Sequence, residues 1–192
     1  MDERLYRTLV RVAVILTVAW VGWSVYDSFL RDRAPGELAY HAGNRHFEDG
    51  RWEAALRAYD EALAANPDFI HALRGRARSL MQLGRHEEAL AAFDEAIRRE
   101  PGFAATWANR GILHDRMGHY EAAIADYERA LALDPSLNDG PNWLTRFLRL
   151  QPRRPPGIGD RARYLRAQLA LPPAERVLRV PELDAAQRPY KK

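Results

Sequence analysis

Residues 84–101 read GRHEEALAAFDEAIRREP, and near copies stand on either side: GRWEAALRAYDEALAANP at 50–67 and GHYEAAIADYERALALDP at 118–135. The three leading glycines, Gly50, Gly84 and Gly118, are 34 residues apart, and so are the closing prolines Pro67, Pro101 and Pro135. A fixed period in this range is the signature of stacked supersecondary units that bury their apolar faces only against one another. Within the copy, Leu90, Phe93 and Ile97 recur at helical spacing and predict a buried stripe, whereas Asp94 and Glu95 fall on the solvent side. Each glycine falls where a preceding helix ends and a left-handed cap is wanted. Each proline bars the residue before it from continuing the helix.

Extending the alignment outward sets three units at 36–69, 70–103 and 104–137. Small residues occupy the eighth place (Gly43, Ala77, Gly111), the twentieth (Ala55, Ala89, Ala123) and the twenty-seventh (Ala62, Ala96, Ala130). The twenty-fourth is aromatic (Tyr59, Phe93, Tyr127) and the thirty-second is proline. Small side chains at places eight and twenty let two helices approach backbone to backbone, and the aromatic fills the wedge toward the next unit. All fifteen places match the pattern of the tetratricopeptide repeat, and the chain resembles that family over a little over half its length. The resemblance implies an all-α fold of three helix–turn–helix repeats in a right-handed superhelical solenoid. At the fourth place stand Ala39, Leu73 and Trp107, so the first repeat is expected to pack weakly at its open edge.

In this family the first helix of each unit lines a concave face that binds proteins. Carried over, the resemblance assigns a partner-binding groove to Tyr40, Asn44, Phe47, His71, Arg74, Arg78, Met81, Asn109, Ile112 and Arg116. Tyr40, Phe47 and Met81 would accept apolar side chains. Arg74 and Arg78, one helical turn apart, either hold a partner carboxylate or pair with acids inside the repeats. Some family members resemble one another in a clamp for chaperone C-terminal tails, built from Lys, Asn, Asn, Lys and Arg. Here those places hold Tyr40, Asn44, Gly75, Ala105 and Asn109, so only Asn44 agrees.

The composition narrows the function classes. With no cysteine, thiol catalysis, disulfides and cysteine-ligated zinc are excluded. Charge is uneven: residues 36–137 carry 12 basic and 17 acidic side chains, residues 138–192 carry 12 and 5. The basic excess therefore belongs to the tail, and a nucleic-acid groove in the repeats is not expected. Nearly every cation is arginine, as a GC-rich genome would favour. His46 and His114, at the eleventh place, read as inter-helix residues, and no metal-ligand constellation accompanies them. No phosphate-cradling loop, nucleophile elbow, cofactor site or catalytic residue is present, so the chain reads as a non-enzyme without a small-molecule ligand.

Before the repeats, residues 8–26 carry a single charge, Arg11. Nineteen helical residues rise roughly 28 Å, about one hydrocarbon core. Arg11 is near enough to the end to snorkel, and Trp20, Trp23 and Tyr26 cluster at the far end where amphipathic rings favour the interface. Residues 1–35 thus read as an uncleaved transmembrane anchor with its flanks. Arg4, Arg7 and Arg11 precede the span and Arg31 and Arg33 follow it, which leans toward a cytoplasmic N-terminus and periplasmic repeats at a bacterial inner membrane.

A stack needs a polar-faced end cap. Residues 138–150 fit, with a capping helix expected at 142–150 and an apolar face of Trp143, Leu144, Phe147 and Leu148. The remainder, 151–192, is a Pro- and Arg-rich arm in which Asp160 caps a short helix bearing Tyr164, Leu165 and Leu169. Val177, Leu178, Val180 and Leu183 make the arm more apolar than a solubilising tail requires, so it is read as a docking segment. Together these features describe a membrane-anchored adaptor or scaffold for assembling an envelope complex. The alternative is a permanent accessory subunit of a larger membrane complex.

Overall fold

A computed structural model describes residues 2–27, 34–140, 147–148, 150, 156–181 and 189–190. The described helices are α1 (Glu3–Val25), α2 (Glu37–Glu48), α3 (Trp52–Ala65), α4 (Ile70–Gln82), α5 (His86–Arg99), α6 (Ala104–Met117), α7 (Tyr120–Leu133) and α8 (Ile158–Leu169). No strand occurs among the described residues. The chain forms two units, 1–35 and 36–192.

The first unit is α1. The Asp2 carboxylate accepts a hydrogen bond from the Arg4 amide and caps the helix. Thr8 and Thr17 donate their hydroxyls to the carbonyls of Arg4 and Ala13, each at 2.9 Å, so neither polar side chain needs an outside partner. The helix is long and apolar enough to cross a membrane, with a mean hydropathy of 1.8 over 18 residues, and none of that stretch is buried within the chain. A signal sequence has the same character.

In the second unit the hairpins α2/α3, α4/α5 and α6/α7 stack in order. Each first helix closes in the same way. Arg51, Arg85 and His119 donate to the carbonyls of His46, Leu80 and His114 at 2.8–3.0 Å, five residues back. The intervening Gly50, Gly84 and Gly118 adopt φ of +73°, +73° and +82°, the left-handed conformation predicted for them.

Packing between hairpins turns on the place-twenty-four aromatics, which are fully buried. Tyr59 lies between two helices that both thin to glycine. A Cβ on Gly43 of its own hairpin would stand 2.7 Å from the ring, and one on Gly75 of the next would stand 2.4 Å away. Its hydroxyl donates to Asn44 Oδ1 at 2.7 Å, and burial pushes the phenol up to about 12. Arg110 joins the second and third repeats, donating to Asp94 at 2.7 Å and twice to Asp126 at 2.7 Å.

The last repeat is covered by α8, which packs on α7 and on the turn Pro135–Asn138. Asn138 Oδ1 accepts the Gly159 amide at 3.0 Å, a contact so close that a Cβ on Gly157 would lie 2.4 Å from the same oxygen. Asp160 caps this helix from its third position: the helix starts at Ile158, and the carboxylate reaches back to accept the Gly157 amide at 2.9 Å. The capping helix expected at 142–150 lies mostly outside the described residues; within it, Phe147 and Leu148 are exposed at 70% and 73%.

Candidate functional site: the concave face and the C-terminal segment

The first helices α2, α4 and α6 bring Tyr40, His71, Arg74, Arg78 and Asn109 to one cleft, completed by Phe93, Phe103, Thr106 and Tyr190. Its cavity volume is about 30 Å³, and it opens to solvent. Five of the ten groove residues carried over from the family are therefore together, and four lining residues had not been expected.

Two buried arginines dominate its electrostatics, exposed by only 7% and 6%. Arg74 lies over the Phe103 ring at 3.7 Å and pairs through Nη2 with Glu100 Oε2. Arg78 lies 5.0 Å over the Phe47 ring, and no carboxylate among the described residues pairs with it. The open question about the two arginines thus divides: Arg74 has an internal acid, and Arg78 has none among the described residues. Nε and Nη1 of both guanidiniums, and the hydroxyl of Thr106, are buried without a hydrogen-bond partner among the described residues. Desolvation lowers the Arg78 pKa, and the positive charge of Arg74 adds to that.

The rest of the expected lining divides differently. Asn44 is engaged by the Tyr59 hydroxyl. Phe47 is 7% exposed, held edge-on by Trp52 at 4.8 Å. Met81 and Ile112 are each 1% exposed and do not offer side chains to a partner. They sit in a core cluster that also holds Ile158, Ala162 and Leu165, with Leu178 and Tyr190 packed against it. Arg116 is partly buried and donates weakly to Gln82 at 3.4 Å.

The described residues of the C-terminal segment, 156–181 and 189–190, pack on the third repeat. Arg161 of α8 binds Asp115 of α6 through two buried hydrogen bonds, at 2.7 and 2.8 Å, and its Nη2 also reaches the Leu178 carbonyl at 3.0 Å. Arg179 donates to the Arg116 carbonyl at 3.1 Å. Asn109 then holds the main chain of Tyr190 at two points: its Nδ2 donates to the Tyr190 carbonyl at 2.8 Å, and its Oδ1 accepts the Tyr190 amide at 2.7 Å. The Tyr190 hydroxyl donates to the Leu137 carbonyl at 3.0 Å, and burial raises its pKa. Of the expected docking residues, Val177 is 55% exposed, Leu178 packs on the core, Val180 is partly buried, and Leu183 lies outside the described residues.

Sequence reasoning missed Arg161 and Tyr190. The available signal was an Asp, Asp115, on an inward face of the third repeat, with a strongly basic tail to supply its counter-charge. Arg11, Trp20, Trp23 and Tyr26 all project from α1 as exposed side chains. Among the described residues there is no group of three or more His, Asp or Glu able to hold a metal.

Comparison with known proteins agrees with this geometry. Two tetratricopeptide repeat profiles match, one over residues 40–104 and one over 104–137, together just over half the chain. No curated protein sequence matches. Among solved structures, the first TPR domain of Spaghetti (RPAP3) bound to the HSP90 peptide SRMEEVD has a TM-score of 0.58 at 21% identity, covering 73% of this chain and 97% of that one. The yeast Sti1 TPR2B domain in its pHsp70 complex has a TM-score of 0.51 at 24% identity, covering 60% and 92%. The Arabidopsis OM64 TPR domain has 0.50 at 24%, covering 52% and 83%. At these identities the likeness is one of fold. By its period, its helical hairpins and the matching profiles, the chain belongs to the tetratricopeptide repeat family.

Proposed function

We propose that this protein is a membrane-anchored adaptor, without catalytic activity, whose concave face captures an extended segment of a partner protein bearing an acidic side chain. The observation that carries this reading is the pairing of Asn109 with the Tyr190 main chain. One amide side chain satisfies both the N–H and the C=O of a single residue, a contact that any extended segment can make whatever its sequence. Beside it lies Arg78, a buried cation that no described carboxylate neutralises. An anion brought by a partner would relieve the cost of burying that charge.

The apolar α1 serves as the anchor, with the N-terminus cytoplasmic and the repeats on the periplasmic side, as the three arginines before the span and two after it favour. Confinement to one bilayer face raises effective concentration, so a modest groove affinity suffices. Assembly or stabilisation of an envelope complex fits such a layout.

The test is purification of the tagged full-length protein in mild detergent, with identification of its companions by mass spectrometry. Companions lost on Arg78→Glu, with the helical CD spectrum retained, support groove capture. Companions kept by that variant at fixed stoichiometry would favour a permanent subunit held through other surfaces. Alkaline carbonate extraction that releases the full-length chain from membranes would refute the anchor.

A further inference from the structure

The adaptor reading leaves the concave face free for a partner, yet in this structure part of it is taken. Tyr190 lines the same cleft as Arg74, Arg78 and Thr106 and holds both hydrogen bonds of Asn109. We propose that the C-terminal segment around Tyr190 is a built-in ligand of the groove, and that an external partner binds by displacing it with a tyrosine-bearing extended segment that also carries a carboxylate. This rests on the adaptor reading and specifies its ligand and its regulation.

Three observations carry it. The contacts fall into a general part and a specific part, as recognition of a peptide requires: Asn109 reads only main chain, while the Leu137 carbonyl receives the phenol and thereby selects tyrosine. The segment is fastened at Arg161–Leu178 and Arg179–Arg116, so a released Tyr190 stays tethered near its seat. Finally, the described part of the segment satisfies the clamp and the phenol seat but brings no carboxylate to Arg78. A competitor that matches the first two and adds the third gains a charge-assisted contact that the described part of the built-in ligand does not make. The tether supplies a high local concentration of the resident segment, so it sets a threshold that weak or unmatched segments do not pass.

The experiment uses the full-length protein in detergent micelles and a fluorescein-labelled peptide of residues 185–192, followed by anisotropy. The peptide is expected to bind Tyr190→Ala at least tenfold more tightly than wild type, because the seat is then vacant. Adding Asn109→Ala to Tyr190→Ala should abolish the gain. Among peptides carrying a single glutamate at one of the positions flanking the tyrosine, at least one should bind Tyr190→Ala more tightly still, and lose that advantage on Arg78→Met. Equal binding to wild type and Tyr190→Ala, or no binding to either, would overturn the proposal. Should Tyr190→Ala prove unfolded, hydrogen exchange on the wild type decides: excess unlabelled peptide must speed exchange of the Tyr190 amide, and unchanged protection would overturn displacement. Failure here leaves the adaptor reading to the co-purification result, which would then implicate another surface.

Discussion

Arg161 and Asp115, 46 positions apart, form a two-point ion pair in which both side chains are about 95% buried: Nε donates to Oδ2 at 2.7 Å and Nη2 to Oδ1 at 2.8 Å. The Tyr127 hydroxyl shares Asp115 Oδ2 at 3.2 Å. Through this pair α8 is locked onto the third repeat, and with it the segment that leads toward the groove.

Removing one partner should therefore cost more than removing both. Arg161→Met takes the two-point guanidinium contact from a buried carboxylate and is expected to destabilise the repeat unit by about 3–5 kcal/mol. The double variant Arg161→Met with Asp115→Leu should recover most of that loss. Urea denaturation followed by CD reads both, and equal destabilisation in the two variants would contradict the assignment.

The contact between Tyr59 and Gly75 sets a steric limit. A methyl group at position 75 would meet the ring at 2.4 Å, so Gly75→Ala is expected to cost about 1–3 kcal/mol despite the higher helix propensity of alanine. Combining it with Tyr59→Leu should give a smaller loss than the two separate losses added together. A fully additive pair in thermal melts would show that the ring is not the obstacle.

At Arg78 stability and binding should move in opposite directions. Arg78→Met removes a buried cation that no described carboxylate pairs with, at the cost of its contact with the Phe47 ring. The variant is expected to be as stable as wild type or more stable, by up to about 2 kcal/mol, while losing acidic partners. Marked destabilisation would mean that the charge serves the fold.

His114 gives a pH dependence with a defined sign. Burial lowers its pKa below 6.5, outweighing the nearby Asp126 carboxylate, with Arg110 and His119 acting in the same direction as burial. The folded state thus binds this proton less readily than the unfolded chain does. Its contribution is present above pH 6.5 and is lost as pH falls through the folded-state pKa. His114→Leu should flatten the stability profile between about pH 7 and 5. An unchanged slope in denaturation curves across that interval would count against it.

The period of 34, the glycine caps, the small residues and the aromatic wedge were all legible because each is a local demand repeated three times. A helix end that needs φ > 0 must be glycine, and a ring that fills a wedge must face a small residue, whatever the rest of the chain does. The clustering of Tyr40, His71, Arg74, Arg78 and Asn109 followed from the same register.

What tertiary structure alone decided is where the described residues of the C-terminal segment go. Arg161 and Tyr190 have no periodic neighbour to mark them; their partners, Asp115 and Asn109, lie 46 and 81 positions away, and a single buried ion pair or amide clamp leaves no pattern in sequence. Burial of Met81 and Ile112 has the same origin, since the cluster around them reaches into the C-terminal segment. Repeated short-range constraints are written many times over in a chain, whereas a long-range contact made once is written only in its geometry.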